Sequence, residues 1–434
     1  MQRSMTKDLV TLIGSQVKVQ GFVDAKRSQK RMVFLVVRDH TGFVQVVHDK
    51  KTSEAGLTQS LSTLTPESAV EVVGTIVSNP QVKLGQLELQ LSELTVVGEA
   101  ASPLPIAPNS VLDKQLDWRY LSLRQPENLL IFKVQTTLEH AMREFWHSRG
   151  FLEIHSPKLM GTASESGAEL FELEYFGQKA SLAQSPQFYK QMAMAAGFDR
   201  IFEIGPVFRA NPSFTSRHDT EFTSVDMEFS WIDSHEDVMR MEEEWLRYII
   251  NAVALAHGTE IEERFGVKVI VPTTPFPRIT LKDAHAILKA RGHQVPDGTD
   301  LDPEGERQLA AHVKDVHGHE FVFVTDYPVE VRAFYHMRHE HDATLTKSFD
   351  LLWKGLEVTT GAQREHRPNR LEKQALEKGY ALDPLKDYIS FFRYGCPPHG
   401  GMGVGLTRLL MIMLGRPNVR EVTYLYRGPN RLTP

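Results

Sequence analysis

An α+β chain built from two unlike domains is the fold the sequence predicts. Three observations carry that reading: a series of short strands over roughly the first hundred residues, a proline-rich break after them, and then long helical periodicities interleaved with paired strands. At 434 residues, 41% hydrophobic and 24% charged, the chain is too long for one ordinary core and has the composition of a globular protein. A formal charge of −6 argues against a protein that coats duplex DNA, yet leaves room for a nucleic acid gripped by one local basic surface. Cys396 stands alone and cannot close an internal disulfide, and Met1 to Asp8 lacks the apolar core of a signal peptide, so a reducing cytoplasm is expected. No apolar run approaches the about 20 residues a membrane helix needs, so no membrane partner is expected.

The first domain, residues 1–102, is read as five strands: Val17 to Asp24, Met32 to Arg38, Phe43 to His48, Ala69 to Val77 and Gln86 to Val97. Asp39-His40-Thr41-Gly42 supplies a turn, Gln86 to Leu91 alternates strictly, and Lys51 to Leu64 looks helical. Five strands with a helix after the third suggest an OB-fold barrel; the alternative is another small barrel serving only as a lid. Ala100 to Pro108 carries three prolines and no periodic apolar face, which predicts a semi-rigid linker, with residues 103–125 as linker and hinge.

The second domain, 126–434, opens with a helix over Glu127 to Gly150, where Leu130, Val134, Leu138, Met142 and Phe145 share a face. Arg200 to Ala210 and Thr220 to Ile232 read as two long antiparallel strands around a polar loop. Glu236 to Ala256 returns to helical spacing and belongs to a helical insertion at about 234–315.

Under a period of two, Thr223, Val225, Met227, Phe229 and Trp231 share one face of the second strand and Phe222, Ser224, Asp226 and Glu228 the other. The companion strand carries Glu203 and Arg209 with one parity and Phe202, Ile204 and Phe208 with the other. Such a ribbon has one apolar and one ionic face, and the ionic face covers a polar site.

Three segments resemble the signature motifs of class II aminoacyl-tRNA synthetases: Phe151 to Pro157 the first, Phe208-Arg209 with Thr215 to Phe222 the second, and Gly400 to Leu409 the third. Gln184 to Lys190 and Gly361 to Arg367 add to the likeness. Their order is similar to that in the aspartate/asparagine/lysine subgroup, and especially to archaeal-type aspartyl-tRNA synthetases, over nearly the whole chain. The resemblance implies an antiparallel catalytic sheet flanked by helices, an OB-fold that binds the anticodon, ATP and Mg2+, L-aspartate and tRNA(Asp) as substrates, and a homodimer.

It also implies roles. Arg209 holds the α-phosphate and the attacking carboxylate, Arg217, His218 and Arg408 the outer phosphates, and Phe222 lies under the adenine. Lys190 and Arg364 read the aspartate side chain, Gln187 and Asp226 accept the α-ammonium, and Glu165 sits in a loop that closes over the amino acid. Asp350, Glu357 and Thr360 match the family's metal-binding residues, which suits a hard cation that prefers oxygen. In the barrel, Phe34 and Gln45 match residues that stack on and hydrogen-bond the central anticodon base, with Arg27, Lys26 and Lys30 near the phosphates. Without the motifs, Phe34 reads as an ordinary core aromatic.

Three positions depart from the family pattern: Asn211 and Thr407 where an acid is usual, and Gly428 where Asp is common. Each loses a carboxylate near the nucleotide, and an active enzyme with altered ATP affinity or rate is expected. The alternatives are an enzyme that also charges tRNA(Asn) and a tRNA-binding paralogue without catalysis. His336 to Asp342 reads as a solvated loop rather than a zinc cluster, since its spacing is not a structural zinc pattern. Gly400 to Gly405 does not open a βαβ unit and is not a dinucleotide fingerprint.

Overall fold

A computed structural model of the chain describes all residues except 52–54, 162–168, 214 and 297. It divides into two compact units, Met1–Asn109 and Ser110–Pro434. In the first, β1 (Gln16–Ser28), β2 (Met32–Asp39), β3 (Gly42–Asp49), β4 (Ala69–Ser78) and β5 (Leu87–Gly98) close a barrel in the order β1-β2-β3-β5-β4, with α1 (Ala55–Thr63) between β3 and β4. Alternation decides the inside: Val33, Leu35 and Val37 of β2 join Val19, Val44, Val46 and Leu89 in one apolar core, while Phe34 projects outward. Lys26 donates to the carbonyls of Leu61, Ser62 and Leu64 at the end of α1, so it caps a helix rather than tracking phosphates.

The second unit begins with α2 (Leu112–Asp117) and α3 (Arg119–Ser122), so the stretch read as linker and hinge is folded from Ser110 onward. The reason is Arg119. Its guanidinium is buried and donates to the carbonyls of Glu421, Thr423 and Tyr424 at 2.8–3.1 Å, and burial pushes its pKa down to about 10. Then follow α4 (Pro126–Ser148), β6 (Leu152–Glu153), β7 (Leu159–Met160), β8 (Glu172–Tyr175), β9 (Gln178–Leu182), α5 (Gln187–Ala195), β10 (Arg200–Phe208), β11 (Glu221–Ser230) and α6 (His235–Phe265). The region read as a helical insertion holds α6, β12 (Arg278–Thr280), α7 (Leu281–Ala290) and α8 (Pro303–His317). The chain ends with β13 (Phe321–Thr325), β14 (Ser348–Trp353), β15 (Leu356–Gln363), α9 (Pro368–Glu377), α10 (Lys386–Arg393), β16 (His399–Gly405), α11 (Leu406–Met413) and α12 (Val419–Val422).

Among the described residues, eight strands form the main sheet in the order β12-β13-β14-β15-β16-β11-β10-β6. Its interior is antiparallel; only the outer pairs β12/β13 and β10/β6 run parallel. Helices α4 and α6 pack together, and α6 lies against β15 and β16, over Phe202, Val225, Met227, Phe229, Met402 and Val404. Pro126 starts α4 at a position where its missing N–H costs nothing, and a Ser234/Asp237 capping box starts α6. Helix α6 runs past Ala256 through Gly258, because buried Ile261 anchors another turn that local propensity alone would end. Trp231 leaves the apolar face assigned to it: β11 stops at Ser230, Trp231 takes φ +61°, and its indole is 72% exposed. No helix among the described residues is long and apolar enough to cross a membrane.

Glu242 of α6 is fully buried near Thr359 of β15, and burial pushes its carboxyl up to about 8. Between the ordinary value of 4.5 and about 8 the folded carboxyl keeps a proton that the unfolded chain has released, so its contribution to stability is lost as pH rises through that window. Glu242→Gln, which cannot ionise, should therefore raise the melting temperature by a few degrees at about pH 8 and much less at about pH 5. Thermal unfolding followed by circular dichroism at the two pH values measures this; an equal shift at both would refute the assignment.

Candidate active site

The ionic face of β11 is the floor of a cavity of about 500 Å³, and β15, β16, α5 and the β10–β11 loop wall it. Backbone geometry makes the floor possible. A Cβ on Gly401 would stand 2.1 Å from the Met227 carbonyl oxygen and 2.3 Å from Glu228 Oε2, so glycine lets β16 approach β11 while Glu228 occupies the vacated space. A Cβ on Gly403 would meet Asp226 Oδ1 at 3.1 Å. These glycines serve a sheet, not a phosphate loop.

One half of the cavity is buried and densely ionic. Lys190 of α5, 1% exposed, donates to Asp226 Oδ1 at 2.8 Å and to the Met402 carbonyl at 3.1 Å, and lies 3.5 Å from Glu228 Oε2. Arg364, just past β15, donates through Nε to Glu228 Oε1 at 3.0 Å and through Nη2 to the Gly401 carbonyl at 3.0 Å. Glu228 is thus shared by both cations, and Ser224 donates to the other oxygen of Asp226 at 2.5 Å. Gln187 lines the same wall. A buried charge needs a partner, and here every one has a partner within the floor. Glu165 lies outside the described residues.

The other half is more open. Arg209, Arg217, His218, Phe222 and Arg408 line it, with Arg209 exposed and its guanidinium 5.4 Å from the centre of the Phe222 ring. Arg217 pairs with Glu306 of α8 at 2.7 Å, and Arg408 donates to the Glu357 carbonyl at 3.0 Å. His218 Nδ1 lies 2.5 Å from the Thr215 hydroxyl, and burial together with Arg408, Arg217 and Arg209 lowers its pKa. Burial pushes the Glu306 carboxyl up to about 7 despite Arg217.

The three residues assigned to a metal do not act alike. Glu357 and Thr360 line the cavity and touch, Thr360 donating at 3.3 Å, whereas Asp350 is buried behind them and pairs with Arg332 at 2.5 Å. Asp350 faces Thr360 across β14 and β15, and its Oδ1 has no hydrogen-bond partner. Among the described residues no three His, Cys, Asp or Glu side chains converge to hold a metal ion.

In the barrel, Arg27 lies over Phe34, 5.0 Å from the ring centre, and Gln45 donates to Glu88 at 3.1 Å, as Asn79 does at 3.0 Å. Phe34 is half-buried on the outward face of β2 with a guanidinium over its ring, so it is not a core residue.

Comparison with known proteins fits this geometry. A family model described as tRNA synthetases class II (D, K and N) matches residues 112–427. The chain belongs to that family. An OB-fold nucleic acid binding domain matches residues 17–97. The chain is 41% identical over 427 residues to an aspartate–tRNA(Asp) ligase of Pyrococcus abyssi, covering 98% of this chain and 97% of that protein. It is 39% identical over 430 residues to an aspartate–tRNA(Asp/Asn) ligase of Aeropyrum pernix, with 98% and 97% covered. Among solved structures, asparaginyl-tRNA synthetase from Pyrococcus horikoshii complexed with asparaginyl-adenylate superposes with a TM-score of 0.94 at 32% identity, over all of both chains.

Four residues that sequence reasoning passed over also shape this class II site. Asp219, Arg332 and His336 line the cavity, and Glu306 holds Arg217. The loop read as solvated, His336 to Asp342, is buried at its start: His336 and Met337 are inside, next to buried Phe334 and Tyr335, and burial with Arg364 and Arg332 nearby depresses the His336 imidazole well below its usual value. Its position inside the run Ala333 to Met337 was the available signal. Arg332, 3.6 Å over the Tyr327 ring, gave none. Arg332→Leu would strand the Asp350 carboxylate, so denaturant titration should show a loss of about 3–5 kcal/mol, with the Arg332→Leu/Asp350→Leu double variant regaining much of it. No recovery in the double variant would mean that the two side chains are not coupled.

Proposed function

We propose that the chain attaches L-aspartate to tRNA in two steps, with ATP activating the amino acid as aspartyl-adenylate. The observation that carries the reading is the convergence of Lys190, Arg209, Arg217, Arg364 and Arg408 on one cavity floored by Asp226. In the first step the substrate α-carboxylate oxygen bonds to the α-phosphorus as the bond to pyrophosphate breaks, so anions that repel one another must meet. Positioned cations lower that barrier. Arg209 spans the α-phosphate and the attacking carboxylate, Arg217, His218 and Arg408 hold the departing phosphates, and Phe222 supports the adenine. Asp226 and Gln187 accept the α-ammonium, while Lys190 and Arg364 turn toward the side-chain carboxylate. An amide would leave those cations poorly matched, at a cost of about 1.5 to 3 kcal/mol for each charge-assisted hydrogen bond. In the second step a terminal ribose hydroxyl of tRNA attacks the activated carbonyl and AMP leaves.

Glu357 and Thr360, with Asp350 behind them, offer hard oxygens beside room for phosphates, which fits Mg2+; bound there, it would neutralise charge on the phosphates. Phe34, Gln45 and Arg27 are the proposed anticodon contacts. We take a second copy of the chain as the occupant of the surface at Leu152 and Leu159, both exposed, the first within and the second just after the segment resembling the first motif. Charging of both tRNA(Asp) and tRNA(Asn) is the second reading, favoured by the similarity to an Asp/Asn ligase.

Aspartate-dependent exchange of labelled pyrophosphate into ATP tests the first step, and its absence would overturn the proposal. Lys190→Met and Arg364→Met should each lower that exchange about a hundredfold or more. Retained exchange with asparagine replacing aspartate would refute their role. Phe34→Ala should raise KM for tRNA by about tenfold, the size of one lost base stack, with a much smaller effect on KM for aspartate. Charging purified tRNA(Asp) and tRNA(Asn) separately decides between the two readings, and sedimentation tests the dimer.

A further inference from the structure

A chain of buried hydrogen bonds behind the amino-acid half ends on Gln187. Gln187 and Gln191 lie one turn apart on α5, so their side chains share a face of the helix. Gln187 lines the cavity, whereas Gln191, Tyr388 of α10 and His399 of β16 are buried behind that lining. The His399 ring starts the chain. Its Nδ1 lies 2.8 Å from the Pro397 carbonyl oxygen, which can only accept, so Nδ1 carries the hydrogen. Cys396, whose sulfur is 3.6 Å from both atoms, donates to that same carbonyl. Burial lowers the imidazole to about 4, so the ring is neutral and its Nε2 keeps a lone pair. Gln191 therefore turns its Nε2 to His399 Nε2, at 3.1 Å, and its Oε1 the other way. That oxygen accepts from the Tyr388 hydroxyl at 2.8 Å and from Gln187 Nε2 at 3.1 Å.

We propose that His399 and Tyr388, acting through Gln191, are positioning residues that fix the direction of the Gln187 amide, so that its carbonyl oxygen faces the α-ammonium of the bound amino acid. A side-chain amide alone has little preference, because its oxygen and nitrogen are alike in size and exchange places by rotation about one bond. An ammonium group only donates, so a reversed amide would set N–H against N–H. With Nε2 of Gln187 engaged by Gln191, Oε1 is the atom left for the ligand. Asp226 gains from that help, since Lys190 and Ser224 already donate to its two oxygens. Tyr388 is held in turn by stacking on Phe188, with ring centroids 4.0 Å apart. The tautomer of one imidazole thus sets the polarity of two amides. This inference rests on the adenylation reading above.

Succinate, which is aspartate with its ammonium replaced by hydrogen, separates positioning from mere packing. In pyrophosphate exchange, Gln191→Met should raise KM for aspartate about tenfold, the size of one hydrogen bond to a charged group, while the inhibition constant of succinate and KM for ATP stay within about twofold of wild type. A loosened pocket would weaken aspartate and succinate alike; that result, or an unchanged KM for aspartate, would overturn the proposal. In a Gln187→Met background, adding Gln191→Met should change KM for aspartate by less than about twofold, and a second tenfold rise would show that Gln191 does not act through Gln187. Should Gln191→Met fail to fold, Tyr388→Phe removes only one hydroxyl; it should raise KM for aspartate about threefold without weakening succinate, and no rise would overturn the proposal. If wild type shows no exchange at all, the adenylation reading fails instead. Calorimetry of aspartate and succinate on wild type and Gln191→Met, or Tyr388→Phe, then decides the relay, an unchanged ratio of the two affinities overturning it.

Discussion

The site depends on how closely β16 approaches β11. Without side chains at 401 and 403, the glycine strand leaves room for Glu228 and Asp226 to stand upright on the sheet, and Glu228 fills the space a Cβ at 401 would take. Glu228 in turn lets Lys190 and Arg364 be buried together, because it pairs with both. Remove that carboxylate and the single charge of Asp226 would be left to offset two cations in low dielectric. A spacing rule in the backbone therefore becomes an electrostatic rule in the pocket.

The cations of the cavity are partnered with the protein's own acids: Lys190 with Asp226, Arg364 with Glu228, Arg217 with Glu306, and Arg408 beside Glu357. In the proposed reaction, incoming carboxylate and phosphate groups compete with these partners. Selectivity follows from that competition, since a weaker or neutral ligand gains less from each cation than the resident carboxylate does. It also explains why a chain of net negative charge can bind polyanions: the relevant field is local.

How much of this could be read from residues alone varies with the kind of signal. The two faces of β11 were legible from Phe222 to Phe229, because a pleated strand imposes a period of two and the residues obey it. The pattern failed at Trp231, where a left-handed turn after Ser230 ends the strand and sends the indole to solvent. The barrel strands were legible for the same reason, but the outward side of Phe34 needed the register that places Val33 and Leu35 inside. The stretch 110–125 read as a hinge because short helices held by Arg119 leave no periodic mark; carbonyls about three hundred positions away do the holding. His336, Arg332 and Asp219 act through neighbours distant in sequence, and Asp350 matched a motif while its carboxylate is committed to Arg332.

The two halves of the cavity differ in how firmly they are set. In the amino-acid half, Lys190, Asp226, Glu228 and Arg364 are all buried and mutually hydrogen-bonded, so little reorganisation is left for the moment of binding. In the nucleotide half, Arg209 is exposed, and Arg217 and His218 stand on a loop whose position is set by contacts to the C-terminal segment rather than by sheet hydrogen bonds. On the proposed reading, preorganisation thus lies where a carboxylate must be told from an amide, a distinction of one proton-bearing group that needs fixed donors. In the proposed reaction the triphosphate carries enough charge to engage exposed Arg209 and loop-borne Arg217, so that half can be built on a loop. Asn211 and Thr407 line the second half, and Gly428 lies outside the cavity against Tyr426, away from the buried amino-acid half.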